Sequence, residues 1–379
     1  MQRKTGGTFY WGKIPFANTL LYCLCLLLLL AAPSCTAKSL ENPLMGLSPE
    51  NPAEEGTTEV KEEEEEIENP PAEQKEAAAI DEGLPRPNEL GEIMILMYHE
   101  IGFPEDEWRR TPDNFRRDLQ TLYDLGYRAV SLQDMVRGQI EIPAGTSPVV
   151  LTFDDGNKGN FNYLETDGEP ELDPDCAVAI MEEFYRENPD FGLAATFFIY
   201  WPTPFRQPGY LETKLQHLVK QGFEIGNHTN SHANLSRLNP DEIRQELALH
   251  INETQKYVPG YRVTSLSLPY GAYSQDPGIV REGSYEGICY QHEAVLLVGA
   301  NPAPSPYHKK FDPFRLPRIR ASEIKTDGVG MYEWLEYFRT NPSRRFISDG
   351  DASCITIPLS AEQNLNREII KERDVRLYE

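Results

Sequence analysis

The stretch Pro148-Val149-Val150-Leu151-Thr152-Phe153-Asp154-Asp155-Gly156 decides how the rest of the chain reads. Its first six residues form a mostly apolar run of strand length, the pattern of a strand covered on both faces in a parallel sheet. The run ends in two adjacent carboxylates, and Gly156 permits the tight turn that seats both at the strand end. Asp-Gly alone is a common surface turn. Behind a buried strand it becomes a candidate site. A second strand, Phe223 to Gly226, leads into Asn227-His228-Thr229-Asn230-Ser231-His232. Imidazoles four positions apart share a face if a helical turn starts there, and imidazole suits Zn, Ni or Co. Two loop histidines with no shared task are the bland alternative. Side chains of neighbouring aspartates must diverge, so one can bind a metal while the other faces a water. Three ligands and one general base are the minimum for hydrolysis by a metal-activated water.

The elements around these motifs alternate. Ile93 to Tyr98 is an apolar run that reads as another buried strand, ending at His99. Thr111 reads as a helix N-cap, with Pro112 in the first turn and Phe115, Leu119 and Leu122 on one face. Helices are also expected from Pro174 to Asn188, Glu212 to Gln221 and Pro240 to Tyr257, the last capped by Asn239. Further strands are expected at Tyr127 to Ser131, Ala194 to Tyr200, Ser265 to Leu268, Gly287 to Tyr290 and Ala294 to Val298. This alternation implies an α/β fold with a parallel sheet and right-handed crossovers. The number of strand–helix units, about seven, favours a closed or nearly closed barrel. His99, Asp154, Asp155, His228 and Tyr270 all fall at the C-terminal ends of expected strands, where such barrels place chemistry.

Composition bounds the partners. Residues 36–90 hold 16 Asp or Glu against 4 Lys or Arg, with seven prolines, and so carry 12 of the 24 net negative charges. Such a segment is expected to be a disordered acidic tether. No basic patch suggests nucleic acid. In residues 1–35, Arg3, Lys4 and Lys13 precede an apolar run from Leu20 to Ala32, and Ser34 and Cys35 follow. This reads as a signal peptide whose Cys35 resembles a bacterial lipobox, or as a retained membrane anchor. A monomeric catalytic domain over 91–379 is expected, held on the extracellular face of a bacterial membrane or secreted. Cys176, Cys289 and Cys354 show no metal or redox spacing and read as buried thiols.

Taken together, Thr152 to Gly156, His228 to His232 and Ala195-Thr196-Phe197-Phe198 resemble the NodB-homology polysaccharide deacetylases, of carbohydrate esterase family 4 type, across roughly residues 93–320. The resemblance implies a distorted (β/α)7-type barrel. It implies a divalent metal, Zn with Co or Ni as alternatives, held by Asp155, His228 and His232, with Asp154 as general base. Two family features are missing. The third motif, Arg-x-Pro-Tyr, is here Ser267-Leu268-Pro269-Tyr270, and the final Leu-x-His has no counterpart around Cys354 to Pro358. Ile95-Leu96-Met97-Tyr98-His99 resembles that final strand, placed first in the chain as in the circularly permuted poly-N-acetylglucosamine deacetylases. Leu316-Pro317-Arg318-Ile319 resembles another stretch of those enzymes. The permuted resemblance therefore implies His99 as general acid and Arg318, with Arg320 second, in place of the missing Arg. The backbone N–H of Tyr270 would be an oxyanion donor.

The implied activity is metal-dependent removal of N-acetyl groups from a cell-surface N-acetylglucosamine polymer, exopolysaccharide or peptidoglycan, with release of acetate. The alternatives are an O-acetyl esterase of xylan type and a carbohydrate-binding pseudoenzyme, the latter favoured by the missing Arg. His217, His250, His292 and His308 read as surface or core residues. Tyr163, Trp201, Tyr210, Tyr273 and Trp334 could line a sugar groove, although aromatics are more often core.

Overall fold

The computed structural model describes residues 83–371 and 373–379. The expectations for residues 1–35, and for the tether as far as residue 82, lie outside the described residues. Among those described, no helix is long and apolar enough to cross a membrane.

Eight parallel strands build the central sheet: β1 (Met94–Tyr98), β2 (Tyr127–Ala129), β3 (Ser147–Phe153), β4 (Thr196–Ile199), β5 (Glu224–Asn227), β6 (Ser265–Ser267), β7 (Ala294–Leu296) and β8 (Ile319–Arg320). Their order is β7-β6-β5-β4-β3-β1-β8, with β2 beside the start of β3. The two ends approach each other. The Leu297 N–H donates to the Leu316 carbonyl at 2.9 Å, and the Leu316 N–H to the Val295 carbonyl at 3.0 Å. The sheet therefore curls into a distorted barrel, as the alternating pattern implied.

Every residue of β1 and β3 is buried, which is why their sequences read as unbroken apolar runs. Alternate residues serve different cores. Met94, Leu96 and Tyr98 pack with Phe115, Leu119 and Phe153, while Ile93 and Ile95 pack with Val150 and Phe198. The first core is covered by α1 (Pro112–Asp124), whose N-cap Thr111 accepts from the Asn114 N–H. Leu119 is wholly buried there, and truncating such a side chain to Ala typically costs ~2–5 kcal/mol. The other helices used below are α2 (Leu132–Arg137), α3 (Ala177–Glu187), α4 (Leu211–Gln221), α5 (Pro240–Tyr257) and α6 (Met331–Thr340). Asn239 and Glu242 form a capping box that starts α5, satisfying two orphan amides at once.

The structure corrects three readings. Gly287 to Tyr290 does not contribute a barrel strand. Glu282–Tyr285 and Ile288–Gln291 form a separate antiparallel hairpin around Gly287, whose φ of 81° suits a tight reversal. The fold also begins before residue 91. The Asn88 N–H donates to the Ile347 carbonyl at 2.8 Å, and Glu89 and Leu90 are buried. The Glu89 side chain accepts from the Thr356 N–H at 2.7 Å, which ties this segment to the fold. Finally, Cys176 and Cys354 are buried thiols, whereas Cys289 lies on the exposed face of its strand.

Candidate active site and metal centre

Parallel pairing sets the geometry. Strand β1 lies between β3 and β8, with Tyr98 opposite Phe153. His99 therefore leaves the sheet beside Asp154. Strands β4, β5 and β6 continue the row and deliver His228 and Tyr270 at the same end.

Asp155 Oδ1 lies 3.3 Å from His228 Nε2 and 3.2 Å from His232 Nε2. That oxygen is buried and has no hydrogen-bond partner among the described residues. His228 Nδ1 is 2.8 Å from the Ser267 carbonyl, which only accepts. Nδ1 therefore carries the hydrogen, and the Nε2 lone pair points at Asp155. Two imidazole nitrogens and an orphaned carboxylate oxygen converge on one spot, with all ligand atoms within 4.8 Å of one another. This donor set fits a divalent ion of the Zn type, whose bonds run ~2.0–2.2 Å.

The histidines do not meet on a helical turn, as their spacing suggested. Thr229 and His232 both have φ near 59°, and a left-handed turn brings the two rings to 4.9 Å. Asp155 (φ 70°) and Tyr270 (φ 61°) share that unusual conformation. Non-glycine residues held there cost on the order of 1–3 kcal/mol each, and such positions concentrate at functional sites. The turn is braced by α5: Glu246 accepts from both the N–H and the hydroxyl of Ser231 at 2.8 Å.

Asp154 is almost fully buried and faces Arg318, which is fully buried. The guanidinium grips both carboxylate oxygens at 2.7 Å. It also donates to Ser267 Oγ at 2.9 Å and to the Leu297 carbonyl at 2.9 Å. The missing third-motif Arg thus has a structural counterpart: the small Ser267 leaves room for a guanidinium arriving from beside β8. Burial alone would raise the Asp154 carboxyl, but Arg318, His228 and His99 together outweigh it and hold the group below its ordinary range. Arg320, the second choice, points elsewhere, pairing with Glu107 at 2.7 Å and lying over the Trp108 ring.

His99 and Tyr270 complete the rim of a cavity of about 670 Å³ that also takes in Asp154, Asp155, His228 and His232. Burial lowers the His99 imidazole below its ordinary value, by more than Asp154 and Asp155 raise it. Its ring packs against Trp108 at 4.7 Å, and Nδ1 has no partner among the described residues. Tyr270 is two-thirds exposed, and its ring meets His232 edge-on at 4.9 Å.

Trp108 lines this cavity and was not singled out in the sequence. The five aromatics that were do not line it. Trp201 stacks on Tyr257, Trp334 donates to the Ala300 carbonyl and Tyr273 to the Phe314 carbonyl. Tyr163 and Tyr210 pack on each other. His217 pairs with Glu182 at 2.6 Å, and His250 and His292 are buried. The only signal for Trp108 was its place in the loop that follows a strand ending in a site histidine.

A parallel barrel with a two-histidine, one-aspartate cluster and an adjacent buried carboxylate presents a site able to hold a metal ion. Residues 142–282 match the family model described as polysaccharide deacetylase. The chain is 26% identical over 152 residues to a chitooligosaccharide deacetylase of Bradyrhizobium sp., covering 40% of this chain and 58% of that protein. It is 29% identical over 129 residues to a peptidoglycan-N-acetylglucosamine deacetylase of Bacillus cereus, covering 34% and 38%. The match thus spans less than two thirds of either relative. Among solved structures, the Streptococcus pyogenes deacetylase PplD in complex with acetate aligns with a TM-score of 0.48 at 20% identity, covering 65% of this chain and 97% of that one.

Proposed function

We propose that this chain is a metal-dependent deacetylase that removes N-acetyl groups from an N-acetylglucosamine polymer of the cell envelope. The observation that carries the reading is the placement around one cavity of a ligand cluster, an arginine-held carboxylate and a histidine. NodB-type deacetylases are metal-dependent, and an ion held by Asp155, His228 and His232 would polarise the acetyl carbonyl and acidify a water. Asp154, kept ionised and oriented by Arg318, takes the proton of the attacking water. The Tyr270 N–H donates to the oxyanion as charge develops there. His99 hands a proton to the departing nitrogen. The exposed faces of Trp108 and Tyr270 offer apolar surface to a sugar ring. Arg318 on Asp154 answers the one sequence feature that favoured a pseudoenzyme. The basic and apolar segment ending at Cys35 supports attachment to the outer face of a bacterial membrane.

The test is acetate release from β-1,4- and β-1,6-linked N-acetylglucosamine oligomers by the Zn- or Co-loaded protein, with Asp154→Asn as the control. Loaded protein that binds oligomers but releases no acetate from either would reject the reading in favour of a binding protein.

A further inference from the structure

Asn227 and His292 are both buried, and the proposed chemistry uses neither. The Asn227 amide is committed on three sides. Its Oδ1 accepts from the Thr229 N–H at 2.8 Å, its Nδ2 donates to the Leu247 carbonyl of α5 at 3.2 Å, and Nδ2 also faces His292 Nε2 at 3.3 Å. His292 Nδ1 lies 2.7 Å from the Val280 carbonyl. A carbonyl only accepts, so Nδ1 carries the hydrogen and Nε2 offers its lone pair to Asn227. Burial favours this neutral ring, lowering its pKa to about 4.

These contacts fix the sense of the amide. Turned end for end, Nδ2 would meet the Thr229 N–H donor to donor, and Oδ1 would meet the Leu247 carbonyl and the His292 lone pair. The Thr229 N–H belongs to the peptide that follows His228, in a residue with φ 59°. Its hydroxyl in turn accepts from the Ala233 N–H at 2.8 Å, just past His232. Both ligand histidines therefore hang from a strained turn whose first anchor is the Asn227 amide.

We infer that His292 is a positioning residue for the His228–His232 ligand pair, acting through the Asn227 amide. The inference rests on the reading of these histidines as metal ligands. It makes metal affinity depend on the segment just before β7, which contributes nothing to the cavity wall at that point.

The experiment uses the full chain. Co(II) affinity is measured by competition with a chromophoric chelator for the wild type, His292→Phe and His292→Gln. Hydrogen exchange at the Thr229 amide and thermal unfolding are followed in the same metal-free proteins. Phe keeps the ring volume and loses both nitrogens, whereas Gln can accept from Asn227 and donate to Val280. Removing such an outer support typically weakens metal binding ~10–100-fold, so His292→Phe should do so and speed exchange at Thr229. His292→Gln should stay within about threefold of wild type on that scale. Equal affinity in all three, or a Gln variant as weak as Phe, overturns the inference. Should His292→Phe fail to fold, His292→Leu takes its place, and wild-type exchange at Thr229 in that variant is equally fatal. Wild type that binds Co(II) without releasing acetate refutes the deacetylase reading alone, and the affinity ratio still decides this one. Wild type without affinity for Co(II) overturns both.

Discussion

Two buried arginine–aspartate pairs sit at the same end of the barrel, and their difference separates support from chemistry. In the first, Asp118 of α1 accepts from Arg110 Nε at 2.8 Å and Nη2 at 2.6 Å, from Tyr98 at 3.2 Å and from Tyr332 at 2.8 Å. Its two oxygens are saturated and enclosed. In the second, Asp154 accepts from Arg318 at 2.7 Å on each oxygen and from Ser267 at 3.2 Å, and it borders the cavity. Four donors close the first carboxylate, while the second keeps lone-pair capacity towards the space where a substrate would lie.

The comparison is most exposed to a matched pair of substitutions. Asp154→Asn should lower turnover on N-acetyl oligomers by ~10²–10⁴-fold, as expected for a lost general base. Asp118→Asn should leave turnover per folded molecule within about threefold. Similar losses in both would erase the distinction. His99→Ala probes the group across the cavity from the open carboxylate. Deacetylation should fall by ~10²–10⁴-fold, while hydrolysis of activated acetate esters, whose leaving groups need no proton, should fall by less than about tenfold. Parallel losses on both substrates would remove His99 from proton transfer.

Stability should rank the other way. Denaturant titration of Asp118→Asn should show a loss of about 3 kcal/mol, the low end for breaking a buried pair. Glu105 and Glu323 also reach Arg110, at 2.6 and 2.8 Å, and soften the effect. An unchanged midpoint would mean that this pair supports nothing.

The smallest effect concerns Glu224, a half-buried carboxylate whose contacts come from the Gln133 N–H and the Thr196 hydroxyl rather than from an arginine. Burial pushes its pKa up to about 7, against an ordinary value of 4.5. The folded state then holds the extra proton between these values. Its stabilising contribution is present below pH 4.5 and is lost as pH rises through 7. Glu224→Gln should flatten that dependence and gain on the order of 1–3 kcal/mol relative to wild type above pH 7. Identical pH profiles for the two proteins would show the carboxylate to be ionised throughout.

The sequence was most legible where one physical rule dominates. Met94 to Tyr98 and Val149 to Phe153 are covered on both faces, so nothing but apolar side chains and a buried threonine is tolerated, and the strands announce themselves. Thr111-Pro112 and Asn239-Pro240 carry their own capping chemistry, and both helices start where the caps placed them. Long-range pairing was another matter. Only the resemblance led to Arg318 and to a role for His99, because their place beside Asp154 follows from β1 lying between β3 and β8. No local pattern encodes that order. Strand β8 spans two residues, too few to show a period. The left-handed turn at Thr229 and His232 was invisible for a different reason: a β-branched Thr is an outlier at positive φ and His visits it only as a minority, and contacts from elsewhere impose it.

That imposed geometry has a consequence for anyone who would engineer the molecule. Glycine or asparagine at a positive φ ordinarily relieves strain. Of the four such residues around the cavity, Asp155 and His232 would supply ligand atoms, and the Thr229 hydroxyl closes the turn. Tyr270 alone would contribute through its backbone. Thermal robustness can therefore be raised within the site at one position, Tyr270→Gly, in exchange for an exposed aromatic surface. At the other three, the protein's melting point and its chemistry are drawn from the same residues.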